Sequence, residues 1–373
     1  VIEGTRIRAA VLNAVGEAPE LAELDLAPPG PGEVLVRLAW SGVCHSDLNV
    51  VDGKIGAPLP VVLGHEGAGT IEAVGPGVQL PVGQRVALSW APSCGACEEC
   101  HRGLRHLCGA AWPMMATGGL MDGTTRLSRN GERVFHDSFL STYAEATVVP
   151  AASCVPIPAD APLDVAAIVG CAVTTGIGAV WNTAAVRPGE RVAVFGCGGV
   201  GLSAIIGARA AGAAQVIAVD VVERKLEDAV ECGATGTVLW RESPEATASA
   251  VQEVVGGGVD AALECTGRPE VGTACFHATR ARGAAVLVGI PAADAVVSFP
   301  ALPFPRQERR ILGSEYGSAY PPHMFPLLLD LYRRGQLPLD RLISHRVPLV
   351  EVGEALERLR TAGGRRTLLD LRA

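Results

Sequence analysis

Aromatic residues make up only 4% of this 373-residue chain, methionine occurs four times, and charged residues amount to 19%. With so few rings available, the core has to be built by close packing of Ala, Val and Leu, and the 45 glycines fit such packing. Basic charge is not in excess either. The chain has 31 Lys+Arg against 39 Asp+Glu, a net charge of −8, which argues against a nucleic-acid partner. With 49% hydrophobic residues, wholesale disorder is excluded as well. Long unbroken apolar runs are missing: the stretch around Val192–Ile206 is interrupted by glycine and falls short of the roughly 20 residues of a membrane span. No segment near the start has the pattern of a secretion signal, so a soluble cytoplasmic protein with no membrane partner is expected. The eleven cysteines are an odd number that cannot all pair within the chain. In a reducing compartment, clustered thiols are more often metal ligands than disulfides.

At roughly 100 to 200 residues per domain, the length predicts two or three domains. From Arg6 to about Pro150, short alternating stretches punctuated by Gly and Pro read as strands: Glu33–Leu38, Pro60–Leu63, Thr70–Val74, Arg85–Leu88 and Tyr143–Val149. After about Val173 the texture changes to strand-then-helix alternation. Strands are expected at Arg191–Phe195, Gln215–Val219, Val259–Glu264 and Ala284–Val288, with helices at Val200–Ala211, Glu223–Cys232 and Glu270–Arg280. Repeated βα units of this size predict an α/β fold with a parallel sheet covered by helices. From about Glu315 the pattern is mixed, with amphipathic runs at His323–Arg334 and Val350–Thr361 and no further βαβ unit expected, and this tail is read as rejoining the first domain. Pro300–Pro305 reads as a connecting loop.

Three constellations carry chemistry. Cys94-x2-Cys97-x2-Cys100-x7-Cys108 places four thiols in fifteen residues, with Gly95, Gly103 and Gly109 interleaved. Four soft donors at this spacing suit a closed tetrahedral zinc site that holds a loop; a redox CxxC or chance are the competing readings. Cys44, His65 with Glu66, and Cys171 lie far apart in sequence, but two thiols and one imidazole would leave a zinc ion an open position. Taken singly, each is as well explained as a packed Cys or a core His. Gly196-Cys-Gly198-Gly199-Val-Gly201 follows a predicted strand and opens a predicted helix, and Asp220 ends the next strand. This order suits a pyrophosphate over the helix N-terminus and a ribose held by the carboxylate, favouring NAD over NADP; the bland alternative makes Asp220 a turn residue.

At these residues the chain resembles the zinc-dependent alcohol dehydrogenases of the medium-chain dehydrogenase/reductase superfamily. Gly64-His-Glu-x2-Gly69-x5-Gly75-x2-Val78 matches the family's zinc signature, and the similarity runs from about residue 7 to 371. The resemblance implies a GroES-like β-rich catalytic domain over residues 1–172 and 315–373, carrying a structural-zinc lobe at 90–112. It also implies a doubly wound Rossmann domain over 173–314. Two zinc ions per chain and NAD are implied: Cys94, Cys97, Cys100 and Cys108 would hold the structural ion, and Cys44, His65 and Cys171 the catalytic one, with Glu66 able to approach it. Asp47 would accept from His65, and Ser46 would take the proton of the substrate alcohol. His45 and Arg366 would face the cofactor phosphates, Asp220 and Lys225 its ribose, and Arg268 its adenine. Thr175, Val200 and the Val288–Ile290 segment would line the nicotinamide, and Trp90 would limit substrate size. The remaining thiols, Cys154, Cys197, Cys232, Cys265 and Cys275, are assigned to packing.

The resemblance implies reversible hydride transfer between NAD and a small alcohol or aldehyde, most readily a primary or aromatic alcohol, by a homodimer. Three departures bear on this. Asn49 replaces a His that in many relatives passes the proton to solvent, and His45 replaces an Arg. The acidic residue that glutathione-dependent formaldehyde dehydrogenases place at the pocket mouth is Ile55 here, and Cys108-Gly-Ala-Ala-Trp-Pro113 supplies no Arg. Glutathione-adduct oxidation is therefore disfavoured. A mycothiol-linked version using Lys54 and Asp52, and a catalytically silent NAD-binding protein, are the alternatives carried forward.

Overall fold

Alternation with a period of two is clearest in Glu20–Leu26, where Ala22, Leu24 and Leu26 are buried and Glu23 and Asp25 exposed, so one face of the strand turns to a core. In a computed structural model, which describes residues 4–361 and 364–372, this strand is part of a small closed barrel. The barrel joins Thr5–Leu12, Glu20–Leu26, Leu127–Arg129, Glu132–His136 and Val61–Val62. Glu33–Gly42 belongs to a second, seven-stranded sheet and pairs antiparallel with both Glu66–Val74 and Ala146–Pro150. Both sheets lie in one compact unit made of residues 1–171, 320–333 and 343–373.

The second unit comprises residues 172–319 and 334–342. Its sheet is all parallel, in the order Gly236–Leu239, Gln215–Asp220, Arg191–Phe195, Val259–Glu264, Thr279–Leu287 and Arg310–Gly313. The order reverses beside the first strand, as in doubly wound dinucleotide folds. Burial on both faces explains why Arg191–Phe195 reads as an unbroken apolar run and not as an alternation.

Several sequence expectations need correcting. The chain returns to the first unit at Tyr320, not 315, and residues 334–342 go back to the second unit. The tail does contain a further βαβ unit: Ile343–Pro348 and Arg366–Asp370 pair in parallel across the helix Val352–Arg360. A short helix, Pro303–Gln307, begins within the expected loop and runs past its end, entered through Pro303, whose fixed φ suits a first helical turn. Finally, Leu163–Thr183 is helical over 21 residues and apolar enough to cross a membrane, although 78% of its most apolar window is buried within the protein, as befits an interior helix. One π turn, Val169–Val173, interrupts it and a second, Ala179–Thr183, ends it.

One buried histidine gives the first unit a predictable acid sensitivity. His136 accepts the Arg126 backbone N–H on Nε2 at 3.3 Å, so its proton sits on Nδ1 and is donated to Ser141 Oγ at 3.1 Å. Burial pushes its pKa down to about 3, with the Arg126 charge adding to the shift. The folded protein therefore keeps the ring neutral while the unfolded chain takes up a proton below about pH 6.5. The resulting stability is present above pH 6.5 and is lost as pH falls toward 3. Between pH 6.5 and 5, His136 should account for roughly 2 kcal/mol of lost stability. Urea denaturation of His136→Gln should show that much less acid sensitivity than the parent; equal slopes would contradict the assignment.

Candidate functional site

The loop from Cys94 to Cys108 contains only two short helical turns, Glu98–His101 and Arg105–Leu107. Its four sulfurs nevertheless converge, their atoms all within 4.8 Å of one another. Cys94 and Cys100 sulfurs are 4.0 Å apart and those of Cys97 and Cys108 3.9 Å, too far for disulfides. They are close to the edge of roughly 3.8 Å that a tetrahedron of sulfurs around zinc requires. Backbone N–H groups of Ala96 and Cys97 donate to Cys94 Sγ at 3.4 and 3.3 Å, and these bonds hold its thiol down at about 6. Such N–H···S bonds favour the thiolate that metal ligation needs, so the donor set fits a closed zinc site.

The dispersed set also converges, entirely within the first unit. Cys44, His65, Glu66 and Cys171 bring one ligand atom each within the same 4.8 Å limit. Cys44 is the N-cap of the helix His45–Val51, His65 precedes the strand Glu66–Val74, and Cys171 sits at the centre of the π turn Val169–Val173. A π turn widens the helix and displaces one residue from the regular ladder, a distortion often found at functional sites. A hydrogen bond from Cys171 holds the Cys44 thiol well below its usual range although burial opposes it, and Cys171 is raised in turn. Glu66 is fully buried, neither carboxylate oxygen accepts a hydrogen bond from the described residues, and burial lifts its pKa to about 7 against the pull of Arg366. Two thiols, an imidazole and an unsatisfied carboxylate are a donor set that fits a zinc ion with room for exchange.

Behind these donors, Asp47 Oδ1 lies 2.9 Å from His65 Nδ1. Its Oδ2 accepts the Cys44 backbone N–H at 2.9 Å and the Tyr143 hydroxyl at 2.7 Å. Burial, then the Asp47 charge, raises the Tyr143 phenol well above its usual range, so the proton stays on Tyr143. Asp137 is a second carboxylate near the ring, 4.0 Å from His65 Nδ1 and raised to about 6 by burial and then by Asp47. Tyr143 and Asp137 escaped the sequence reading because they reach the site from a loop 96 and 72 residues away from their partners, with no spacing rule to find them.

Among the other expected residues, Ser46 is half-buried with Oγ 3.8 Å from Cys44 Sγ, and His45 is exposed on the same turn. Arg366, expected at the cofactor phosphates, has a side chain only 5% exposed, donating to the Val43 carbonyl at 2.8 Å and pairing with Glu66 at 3.4 Å. Its guanidinium lies against the buried Glu66 carboxylate. Trp90 packs edge-on against Trp112, their centroids 6.1 Å apart, over a gap of about 10 Å³ shared with Cys108, His106 and Met115. Asp52, offered as a contact for a thiol carrier, is instead held by Arg360 and by Lys54 at 2.9 Å. Four of the five spare thiols are buried; Cys265 is partly exposed.

In the second unit, Gly196–Gly201 turns from the strand Arg191–Phe195 into the helix Gly199–Ala210, with Gly198 as its N-cap. Asp220 Oδ2 accepts the Cys197 N–H at 2.7 Å and Oδ1 that of Val222 at 3.0 Å, tying the end of the adjacent strand to this loop. Lys225 follows on the next helix, Glu223–Glu231. Arg268 caps the helix Pro269–Ala278 and is exposed beside Glu270. Glu264 knits the neighbouring loops: its carboxylate accepts from Thr266 and Gly267 N–H, and its carbonyl from Val288 and Gly289. Ile290 stays 60% exposed at this carboxyl end of the sheet, where open α/β sheets bind ligands. Thr175 and Val200 are half-buried on their helices.

Residues 30–159 match the family model described as alcohol dehydrogenase GroES-like domain, and residues 199–334 the one described as zinc-binding dehydrogenase. An S-(hydroxymethyl)glutathione dehydrogenase of Synechocystis is 38% identical over 94% of this chain and 95% of its own length. Its namesake from Escherichia coli is 36% identical over 97% and 99%. Among solved structures, an alcohol dehydrogenase zinc-binding domain protein from Burkholderia ambifaria superposes with a TM-score of 0.94 at 36% identity, covering 99% of both chains. Benzyl alcohol dehydrogenase of Acinetobacter calcoaceticus does so with a TM-score of 0.92 at 33% identity, covering 98% of this chain and 99% of its own.

Proposed function

Since the chain belongs to the zinc-dependent alcohol dehydrogenases of the medium-chain dehydrogenase/reductase superfamily, we propose that it transfers hydride reversibly between a primary, possibly aromatic, alcohol and NAD. The observation that carries this reading is the buried convergence of Cys44, His65, Glu66 and Cys171 on one point, with Asp47 orienting the imidazole. Zinc at these donors supplies the Lewis acidity that makes an alcohol proton removable near neutral pH, and NAD supplies the hydride acceptor. Ser46 Oγ, beside Cys44, receives that proton. Asn49, three residues further along the same helix, cannot titrate, so the proton leaves Ser46 without a histidine relay. Asp47 keeps His65 in the tautomer whose Nε2 is free to ligate. The Gly196–Gly201 turn and Asp220 receive the pyrophosphate and ribose, with the carboxylate disfavouring a 2′-phosphate. The expected homodimer belongs to the same reading.

The names of the curated relatives favour a second substrate, a thiol adduct of formaldehyde. Against it stand Ile55 at the position of the acidic contact, the Cys108–Pro113 segment without an arginine, and an Asp52 already committed to Arg360. Steady-state kcat/KM with NAD should separate the two readings. Benzyl alcohol and short primary alcohols are expected to turn over with no thiol present. A strict need for glutathione or mycothiol would overturn the primary-alcohol reading, and no turnover on any alcohol or adduct would favour the silent NAD-binding alternative.

A further inference from the structure

Tyr143 is fully buried, and its place does not depend on its hydroxyl. Its backbone N–H donates to Leu63 O at 3.0 Å, its carbonyl accepts from Ala10 N at 2.8 Å, and the neighbouring Thr142 N donates to Gly64 O at 2.9 Å. Gly64, at φ +97°, allows this close approach: a Cβ there would lie 2.5 Å from both Thr142 Oγ1 and the Tyr143 ring. The ring is thus set against the residue preceding His65 by main-chain bonds, leaving the hydroxyl available for a separate task.

That task is visible at Asp47. The carboxylate bonds to Cys44 and Tyr143 through Oδ2 and to His65 through Oδ1, so it couples two of the zinc donors. With the phenol in place, Oδ2 has two donors and Oδ1 stays turned toward the imidazole. Without it, one backbone N–H alone would hold Oδ2, the carboxylate could rotate, and partly buried Asp137, 4.0 Å from the same Nδ1, would compete for the ring. We propose that Tyr143 is a positioning residue of the catalytic metal centre, whose hydroxyl locks Asp47 and through it fixes the His65 imidazole for zinc. The proposal rests on the reading of Cys44, His65 and Cys171 as zinc ligands.

Tyr143→Phe keeps the ring and the backbone bonds. Competition of the zinc-loaded protein with a chromophoric chelator should resolve two classes of zinc. In the variant, the catalytic class is expected to bind roughly tenfold or more weakly, as loss of a partner behind a metal ligand typically does, while the class held by Cys94, Cys97, Cys100 and Cys108 is unchanged. In an Asp47→Asn background the same change should have no further effect. Unchanged affinity of the catalytic class, or equal weakening of both classes, would overturn the proposal. A parent protein that holds one zinc overturns this proposal and the zinc-enzyme reading together. Failure of the alcohol panel alongside selectively weakened zinc would overturn only the substrate reading.

Discussion

Gly201→Ala is expected to lower stability by about 3 kcal/mol and to abolish NAD binding, whereas Gly198→Ala should abolish most of the binding at almost no structural cost. A Cβ at Gly201 would fall 1.7 Å from the carbonyl oxygen of Gly196, a contact with backbone that no rotamer change relieves. The strand-to-helix turn would have to open, moving the helix N-terminus away from the strand end. Gly198 differs: at φ −83° it has a conformation any residue adopts, and a Cβ there meets nothing within 4 Å. The folded protein alone gives no reason for glycine at 198, so the reason lies in what approaches the helix N-terminus. A methyl group in that space would hold a pyrophosphate away from the N–H groups. Losing one charge-assisted hydrogen bond of about 1.5 to 3 kcal/mol corresponds to a roughly ten- to hundredfold weaker Kd. Calorimetric titration with NADH and urea denaturation of both variants would check this. Parent-like affinity in Gly198→Ala would mean that the loop does not receive the cofactor.

The contrast also indicates why some of the molecule was legible in the sequence. Gly196 to Gly201 and Cys94 to Cys108 are local devices, with every participant within fifteen residues, so spacing alone carries the geometry. The parallel sheet was legible for a related reason: strands buried on both faces, such as Arg191–Phe195 and Val259–Glu264, stand out as apolar blocks. Cys44, His65 and Cys171 were legible only through a family motif, since no local periodicity joins residues more than a hundred positions apart. Tyr143 and Asp137 were not legible at all. Their contacts follow from which loop lies beside Leu63–Gly64, and such neighbours are set by the whole fold. The same limit explains Arg366: its motif position was recognised, but only the fold shows the buried Glu66 against which it turns. The interior helix Leu163–Thr183 was missed because its apolar sequence has no polar face to reveal a period.

The two thiol sets should separate cleanly when each loses one member. Cys171→Ala and Cys97→Ala are both expected to lower zinc content from two ions per chain to one, with opposite consequences. Cys171 lies inside a helical turn flanked by buried Val169 and Val173, and alanine suits a helix, so the Cys171→Ala protein should fold and melt much as the parent does. Three donors remain there, including a Glu66 already countered by Arg366, and alcohol oxidation should fall below detection. Cys97 lies instead in a segment with little regular structure, whose Cys100 and Cys108 form part of the apolar cluster with Ile7, Leu24 and Phe139. With the metal lost, this loop has little else to order it, and its apolar residues would loosen from that cluster. Cys97→Ala should therefore show a lowered melting temperature and new proteolytic cleavage between residues 94 and 108. The donors at Cys44 and His65 would be unchanged, and the variant should retain measurable turnover at low temperature. Zinc analysis, limited proteolysis and benzyl alcohol kinetics on the two proteins test the assignment. Loss of turnover in Cys97→Ala with no proteolytic change would reverse the roles given to the two sites.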